Sequence, residues 1–69
     1  MEMISVDSSN VRSVGFDDDS STLQVEFLNG SLYQYFDVPR QIFDGLLAAG
    51  SVGSYLHNNV KGVYRYSRV

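Results

Sequence analysis

The sequence predicts a small α+β domain, in which two short helices lie on one face of an antiparallel sheet in the order β-β-β-α-α-β. Three observations carry this prediction. Alternating apolar and polar residues flank an Asn-Gly pair, the strongest short-range signal of a β-hairpin. Two segments with helical spacing follow, each beginning near a residue that suits a helix start. The last residues, GVYRYSRV, alternate again and predict a returning strand.

The first part of the chain predicts a lead-in, a strand and a turn. Residues 1–7 are weakly patterned and form the lead-in, with an extended stretch at Met3–Val6. The first strand is marked by three apolar residues, Val11, Val14 and Phe16. The run DDDSS at 17–21 predicts a solvated turn, because Asp and Ser side chains hydrogen-bond their own backbone. Its carboxylates lack the spacing of a calcium loop, so we expect no metal site there.

The orientation of the central Tyr33 and Tyr35 depends on the hairpin register. The segment TLQVEF places Leu23 and Val25 on one face of the second strand. A two-residue loop at the Asn-Gly pair would put both tyrosines on the opposite face, as an open platform. A three-residue loop, 28–30, would put them beside Leu23 and Val25 on the core face. Both loops are common, so the two registers stay open, and the small core favours buried rings with hydroxyls at the rim.

Two helices are predicted before the last strand. Pro39 suits the first turn of the first helix, and Asp37 is its expected cap. That helix carries apolar residues at helical spacing, Ile42, Phe43, Leu46 and Leu47. Gly45 lowers helix stability by about 1 kcal/mol relative to alanine, and a closely packed partner would explain its presence. Gly50 stands where a glycine after the C-terminus of a helix is expected. Ser51 is the expected cap of the second helix.

Composition excludes several kinds of site. The chain has 69 residues, no cysteine and one histidine, so it forms no disulfide and no Cys- or His-rich metal site, and we expect no cofactor. Ser54 and His57 lie three residues apart on the second helix, but nothing in the spacing supplies an orienting carboxylate or an oxyanion hole. The Ser51–Ser54 segment has no phosphate-loop spacing. We therefore predict that the protein is not an enzyme.

The charge is unevenly distributed. The net charge is −3, yet residues 51–69 contain three bases and no acid. An acidic chain argues against strong non-specific binding to nucleic acid, whereas a basic C-terminal segment can act locally. The N-terminus lacks the basic and apolar regions of a signal peptide, and no apolar run has membrane length. We expect a cytoplasmic domain that does not contact a membrane.

Four of the five tyrosines stand in two Tyr-x-Tyr runs, LYQYF and VYRYS. An open pair of rings would stack bases, with Lys61, Arg65 and Arg68 near the phosphates. The simpler interpretation is ordinary strand composition, since tyrosine favours strands.

Three segments in order, SSNVRSVGFD, LQVEFLNGSLYQYFDVP and GSVGSYLHNNVKGVYRYSRV, resemble the KTSC domain. This family occurs at the C-terminus of some lysyl-tRNA synthetases and as stand-alone small bacterial or phage proteins. The resemblance runs from Ser8 to Val69, so one domain over 1–69 is implied. Its hallmark is the central Tyr-x-Tyr run, supported by the Asn-Gly, Val-Pro and Ser-x-Gly steps. Val52 departs from the pattern, which has a polar or basic residue between that Ser and Gly.

The resemblance implies no established activity, although RNA binding is suggested for the family. We carry that suggestion over as a hypothesis of binding to single-stranded RNA or tRNA. The candidate residues are Tyr33, Tyr35, Tyr55, Lys61, Tyr64 and Arg65, with Arg68 added from the basic segment. The alternative is a protein–protein interaction module or a homodimer with the tyrosines in its core.

Overall fold

The computed structural model describes all 69 residues, as a five-stranded antiparallel sheet with two helices packed on one face. The strands are adjacent in chain order and are β1 (Met3–Ser5), β2 (Val11–Asp17), β3 (Thr22–Phe27), β4 (Leu32–Tyr35) and β5 (Tyr66–Arg68). The helices α1 (Arg40–Ala48) and α2 (Val52–Asn59) lie between β4 and β5 in the chain. The predicted α+β class and the order of its elements are confirmed, and the lead-in segment contributes the edge strand β1.

The core lies between the helices and the β2–β3 half of the sheet. Val14, Leu23 and Val25 are completely buried, and Leu46 of α1 and Leu56 of α2 are buried in the same cluster. Full burial of one such side chain contributes about 1.5–3 kcal/mol relative to exposure. These positions therefore hold the helices on the sheet.

The β3–β4 hairpin has the three-residue loop, 28–30. The amide of Phe27 donates to the carbonyl of Ser31 at 2.9 Å, and the amide of Gly30 donates back to the carbonyl of Phe27 at 3.0 Å. Gly30 has a φ of +91°, which glycine adopts without a steric penalty. Tyr33 consequently pairs with Val25, and Tyr35 pairs with Leu23. The register with both tyrosines on the core face is confirmed, and the open platform on the opposite face is wrong.

The face of the sheet without helices is mostly polar. The Ser13 hydroxyl donates to Glu26 at 2.9 Å, and the Gln34 amide donates to the Gln24 side chain at 2.8 Å. In each pair, a side chain on one strand donates a hydrogen bond to a side chain on the neighbouring strand. The strand positions of this face therefore offer hydrogen-bonded polar groups together with two apolar side chains, Leu32 opposite Glu26 and Met3 opposite Gly15.

The helices pack closely where the sequence has a glycine. A Cβ on Gly45 of α1 would overlap the hydroxyl end of Tyr55, a residue of α2. Glycine at this position thus lets the aromatic ring of one helix lie against the backbone of the other. The predicted packing partner of Gly45 is confirmed, and it is one of the candidate tyrosines.

The helix termini agree with the predictions only in part. The Ser51 hydroxyl accepts a hydrogen bond from the Ser54 amide at 3.3 Å, so the cap of α2 is confirmed. The cap of α1 is wrong, because α1 begins after Pro39 without a side-chain cap. Asp37 instead has a φ of +57° and pairs with Arg65. Gly50 follows an extended residue at the end of α1 and does not take the left-handed conformation expected of a C-terminal glycine.

The acidic run forms the predicted turn. The Asp17 carboxylate accepts hydrogen bonds from the Asp19 amide at 3.1 Å and from the Ser20 hydroxyl at 2.9 Å. Arg40 connects this turn to α1 through ion pairs with Asp18 at 2.7 Å and Asp44 at 3.2 Å. Neither helix is long and apolar enough to cross a bilayer.

Candidate functional site

A cavity of about 550 Å³ opens above β4 and β5, on the helix side of the sheet. The hairpin forms one part of its wall, and the segment that follows α2 forms the other. Four aromatic residues and four polar residues or glycines line it: Phe27, Asn29, Ser31, Tyr33, Tyr35, Lys61, Gly62 and Tyr66. We call this the tyrosine cavity.

Tyr33 is the centre of the aromatic cluster. Its ring lies 5.6 Å from that of Phe27, edge to face, and 5.8 Å from that of Tyr66, centroid to centroid. Tyr35 pairs with Tyr66 across β4 and β5, and their centroids are 5.9 Å apart. Exposure increases across the cluster: Tyr35 is 4% exposed and Tyr66 63% exposed, with Tyr33 between them. Tyr35 is therefore an anchor in the core, and Tyr66 presents a ring to the solvent.

The Tyr35 hydroxyl reaches the cavity although its ring is buried. This hydroxyl makes no hydrogen bond within the chain. Every side-chain oxygen and nitrogen that is fully buried does have a hydrogen-bond partner. The Tyr35 hydroxyl is therefore not fully buried, and Tyr35 lines the cavity. Burial raises the pKa of the Tyr35 phenol above its ordinary value, and the neighbouring phenols of Tyr33 and Tyr66 raise it further. Tyrosine phenols are neutral at physiological pH, so Tyr35 offers an O–H donor to the cavity.

Two cations lie over neighbouring rings of the aromatic cluster, one over each ring. The Lys61 Nζ lies 5.3 Å from the centroid of Phe27, and the Arg68 guanidinium lies 5.9 Å from the centroid of Tyr33. Arg68 also donates to the Ser31 hydroxyl at 3.2 Å, which holds it beside the cavity. No aspartate or glutamate lines the cavity. The cavity is therefore locally positive in a chain whose net charge is −3.

The turn after α2 directs Lys61 over the sheet. The amide of Lys61 donates to the carbonyl of Leu56 at 2.9 Å, and the amide of Val63 donates to the carbonyl of Val60 at 3.1 Å. Gly62 has a φ of +79°, so the chain reverses at that residue. These bonds end the helix and turn the chain back toward the sheet, which brings Lys61 and Gly62 to the cavity wall.

Four of the seven predicted residues meet at the cavity: Tyr33, Tyr35, Lys61 and Arg68. The other three lie elsewhere. Tyr55 packs between the helices, and Tyr64 is half-buried against the core. Arg65 forms a 2.9 Å ion pair with Asp37 and lies 5.7 Å from the ring centroid of Phe36.

Tyr66 is the main residue that the candidate set omits. The alternation of VYRYS places Tyr64 and Tyr66 on one side of a strand, but β5 begins only at Tyr66. Tyr64 belongs to the preceding turn, where its amide donates to the carbonyl of Val60 at 3.3 Å. The Tyr35–Tyr66 pairing, which joins positions far apart in the chain, is the signal that identifies Tyr66.

A second, polar depression lies at the start of α2. It includes Ser54 and His57, both exposed, and the Asp7 carboxylate. The Ser51 hydroxyl in its wall already accepts the Ser54 amide. The depression is therefore the capped N-terminal end of α2. The Asp7 carboxylate in its wall would repel a phosphate.

The fold and the tyrosine cavity together define a small α+β domain with an aromatic, locally positive cavity. The profile of the KTSC domain matches residues 7–69, and the chain belongs to the KTSC domain family. It is similar to a crystal structure of a KTSC domain protein from Yersinia pestis, with a TM-score of 0.93 and 29% identity over 99% of this chain and 96% of that one.

Similar sequences occur both alone and within a larger enzyme. An uncharacterized protein of Stutzerimonas stutzeri is 39% identical over 100% of this chain and 99% of its own length. A lysine–tRNA ligase of Nostoc is 31% identical over 97% of this chain. This chain spans only 12% of that ligase, so the similarity concerns one segment of the ligase.

Proposed function

We propose that this domain is a non-enzymatic module that binds single-stranded RNA through the tyrosine cavity. The exposed ring of Tyr66 carries the proposal, because it lines the same cavity as Lys61 and neighbours the Tyr33 ring over which Arg68 lies, with no carboxylate in the cavity wall. Aromatic rings that stack bases, with cations for the phosphates, are the common means of binding unpaired strands. The phenol, amide, hydroxyl and ammonium groups of the cavity suit binding rather than bond cleavage.

The similarity to part of a lysine–tRNA ligase supports an RNA partner. Such an enzyme acts on tRNA, and an accessory segment that holds an unpaired stretch of RNA would be useful there. An isolated domain with the same cavity would bind RNA by the same contacts. A tRNA with its unpaired ends and loops is therefore one candidate ligand, alongside linear single strands.

The charge of the whole chain sets the conditions of binding. A net charge of −3 repels the RNA backbone, while Lys61 and Arg68 attract it locally. We therefore expect weak binding that depends on the salt concentration. Low-salt conditions favour its detection.

The direct test is a ¹H–¹⁵N NMR titration with a short single-stranded RNA of mixed sequence at low salt. We expect chemical-shift changes at Tyr33, Lys61, Tyr66 and Arg68, and fewer at Tyr55 and Tyr64. Tyr66→Ala should weaken binding roughly 10-fold, because stacking of one base contributes about 1–3 kcal/mol. An absence of shifts at about 1 mM RNA would reject the proposal. Binding at that concentration requires a binding free energy of only about −4 kcal/mol.

Two arginines of the C-terminal segment form a matched pair for this test. Arg68→Gln removes a cation at the cavity, and Arg65→Gln removes the same charge from a site paired with Asp37. We expect Arg68→Gln to weaken RNA binding and to reduce its salt dependence by about 0.7 in the slope of log K against log salt, the value for one phosphate of a single strand. Equal losses in the two variants would show that the attraction comes from overall charge and not from the cavity.

The alternative function, strand addition between proteins or between two copies of this chain, has weaker support. Both outer strands, β1 and β5, have only three residues, and short edge strands limit pairing with another sheet. Exposed Ile4 and Val69 near these edges are small apolar areas. Sedimentation over a range of protein concentrations tests this function, because a dimer would give a larger coefficient at high concentration.

A further inference from the structure

We infer that the tyrosine cavity takes one unpaired nucleotide, whose base edge is hydrogen-bonded by the Tyr35 hydroxyl. This inference rests on the proposed function and specifies which part of the RNA is recognised. In this arrangement Tyr66 supplies the stacking face, and Tyr35 the polar group at the bottom of the cavity. Lys61 and Arg68 attract the phosphates at its edge.

The depth of Tyr35 requires a ligand that inserts. Only 4% of this residue is exposed, and its hydroxyl is reached from the cavity. A paired base keeps its edge inside a duplex and cannot extend into such a site, whereas unpaired bases can be splayed out and read along their edges. The cavity volume of about 550 Å³ leaves room for a base with its sugar.

The hydrogen-bonding groups suit the edge of a base. Tyr35 is a neutral donor at physiological pH, as an ordinary tyrosine is, and the carbonyl and ring-nitrogen atoms of bases accept. The Asn29 Oδ1 accepts the Ser31 amide at 2.9 Å, which leaves the Asn29 NH₂ group for a ligand. The Ser31 hydroxyl accepts from Arg68 at 3.2 Å and so positions the cation, while its own O–H remains free to donate.

The charges of the cavity fit a nucleotide rather than a neutral ligand. Lys61 and Arg68 lie over two rings that contact each other, Phe27 and Tyr33. A phosphate attached to an inserted base would therefore meet positive charge at the cavity edge, with no carboxylate in the wall to repel it. A nucleoside lacks this phosphate and should bind more weakly than its monophosphate.

The test compares Tyr35→Phe with the unmodified protein. This substitution keeps the ring and removes the hydroxyl, and Tyr64→Phe is the matched control because its phenol lies outside the cavity. Both variants and the unmodified protein are titrated by NMR with AMP, UMP, a short single-stranded RNA and the same RNA as a duplex. Thermal unfolding confirms that each variant is folded.

We expect Tyr35→Phe to weaken binding of the single strand and of at least one monophosphate roughly 3- to 10-fold, the range for loss of one hydrogen bond. Tyr64→Phe should leave both affinities unchanged, and the duplex should bind less tightly than the single strand. In the unmodified protein, nuclear Overhauser contacts should connect base protons to the Tyr35 ring. This last measurement decides the question even where Tyr35→Phe fails to fold.

The outcomes separate this inference from the proposed function. If the single strand binds but Tyr35→Phe has no effect, or no base proton approaches Tyr35, the inference is overturned and RNA binding stands. The inference is also overturned if the duplex binds as tightly as the single strand. If no RNA and no monophosphate binds at all, the proposed function fails first and the inference fails with it.

Discussion

Two halves of one sheet face have the same strand alternation and different surroundings. Over β2 and β3, Leu23 and Val25 are sealed beneath the two helices. Over β4 and β5, Tyr33 and Tyr66 continue the same face but remain partly or largely exposed. Alternation therefore decides the side of the sheet on which a residue lies, and the presence or absence of a helix above it decides whether the residue is buried or exposed.

Tyr35 marks the boundary between these halves. It pairs with the sealed Leu23 on one side and with the exposed Tyr66 on the other. Its ring belongs to the core, and its hydroxyl belongs to the cavity. Tyr35 thus contributes its ring to the packing of the closed half and its hydroxyl to the cavity of the open half.

Truncation in each half gives the largest expected contrast. Leu23→Ala should lower the free energy of unfolding by about 2–5 kcal/mol, because it leaves a cavity in a sealed core. Tyr66→Ala should cost about 1 kcal/mol, from the loss of its contacts with two neighbouring rings. Urea denaturation of both variants measures the difference. Similar losses would show that the open half is as tightly packed as the closed one.

The hairpin loop that directs the tyrosines gives a smaller effect. Gly30→Ala should destabilise the protein by about 1–2 kcal/mol, because an L side chain resists a φ of +91° even though nothing crowds the position. Gly50→Ala is the matched control, since Gly50 also has open space but no positive φ. We expect this control to be neutral or slightly stabilising. Thermal unfolding compares the two, and an equal effect would contradict the three-residue loop.

The smallest expected effect is a pH dependence at the boundary residue. Burial raises the pKa of Tyr35 above its ordinary value of 10.0, so the folded protein holds this proton more tightly than the unfolded chain. The corresponding stability is fully present below the ordinary tyrosine pKa and is lost as the pH rises through the raised value. Tyr35→Phe should make the fall in unfolding temperature at alkaline pH shallower than in the unmodified protein. Parallel curves for the two proteins would place the Tyr35 phenol in solvent.

Much of the fold follows from local pattern. Alternation at Leu23 and Val25, helical spacing after Pro39 and the serine cap at Ser51 each correspond to an element of the structure. These signals are local because they arise from backbone geometry and from side chains that bond neighbouring amides. The cap predicted at Asp37 is wrong because Pro39, which has no side-chain acceptor, occupies the N-cap position of α1, and the Asp37 carboxylate pairs with the distant Arg65.

The site was less accessible to prediction. Tyr33, Tyr35, Lys61 and Arg68 are predicted as candidates because rings and cations are visible in composition, and the structure brings these four to one cavity. Tyr66 is absent from the candidate set because its place at the cavity comes from pairing with Tyr35, 31 positions earlier in the chain. No local pattern records that pairing.

By itself, the sequence determined the α+β class, the hairpin, the helices and the supply of rings and cations, because propensity and periodicity act within a few residues. Only the tertiary structure decided between the two hairpin registers, which the sequence left open, by seating Tyr33 and Tyr35 on the core side. It also decided that β5 begins at Tyr66 and that Lys61 turns over the sheet. These choices depend on burying apolar area and satisfying backbone amides between distant segments, which are properties of the packed chain.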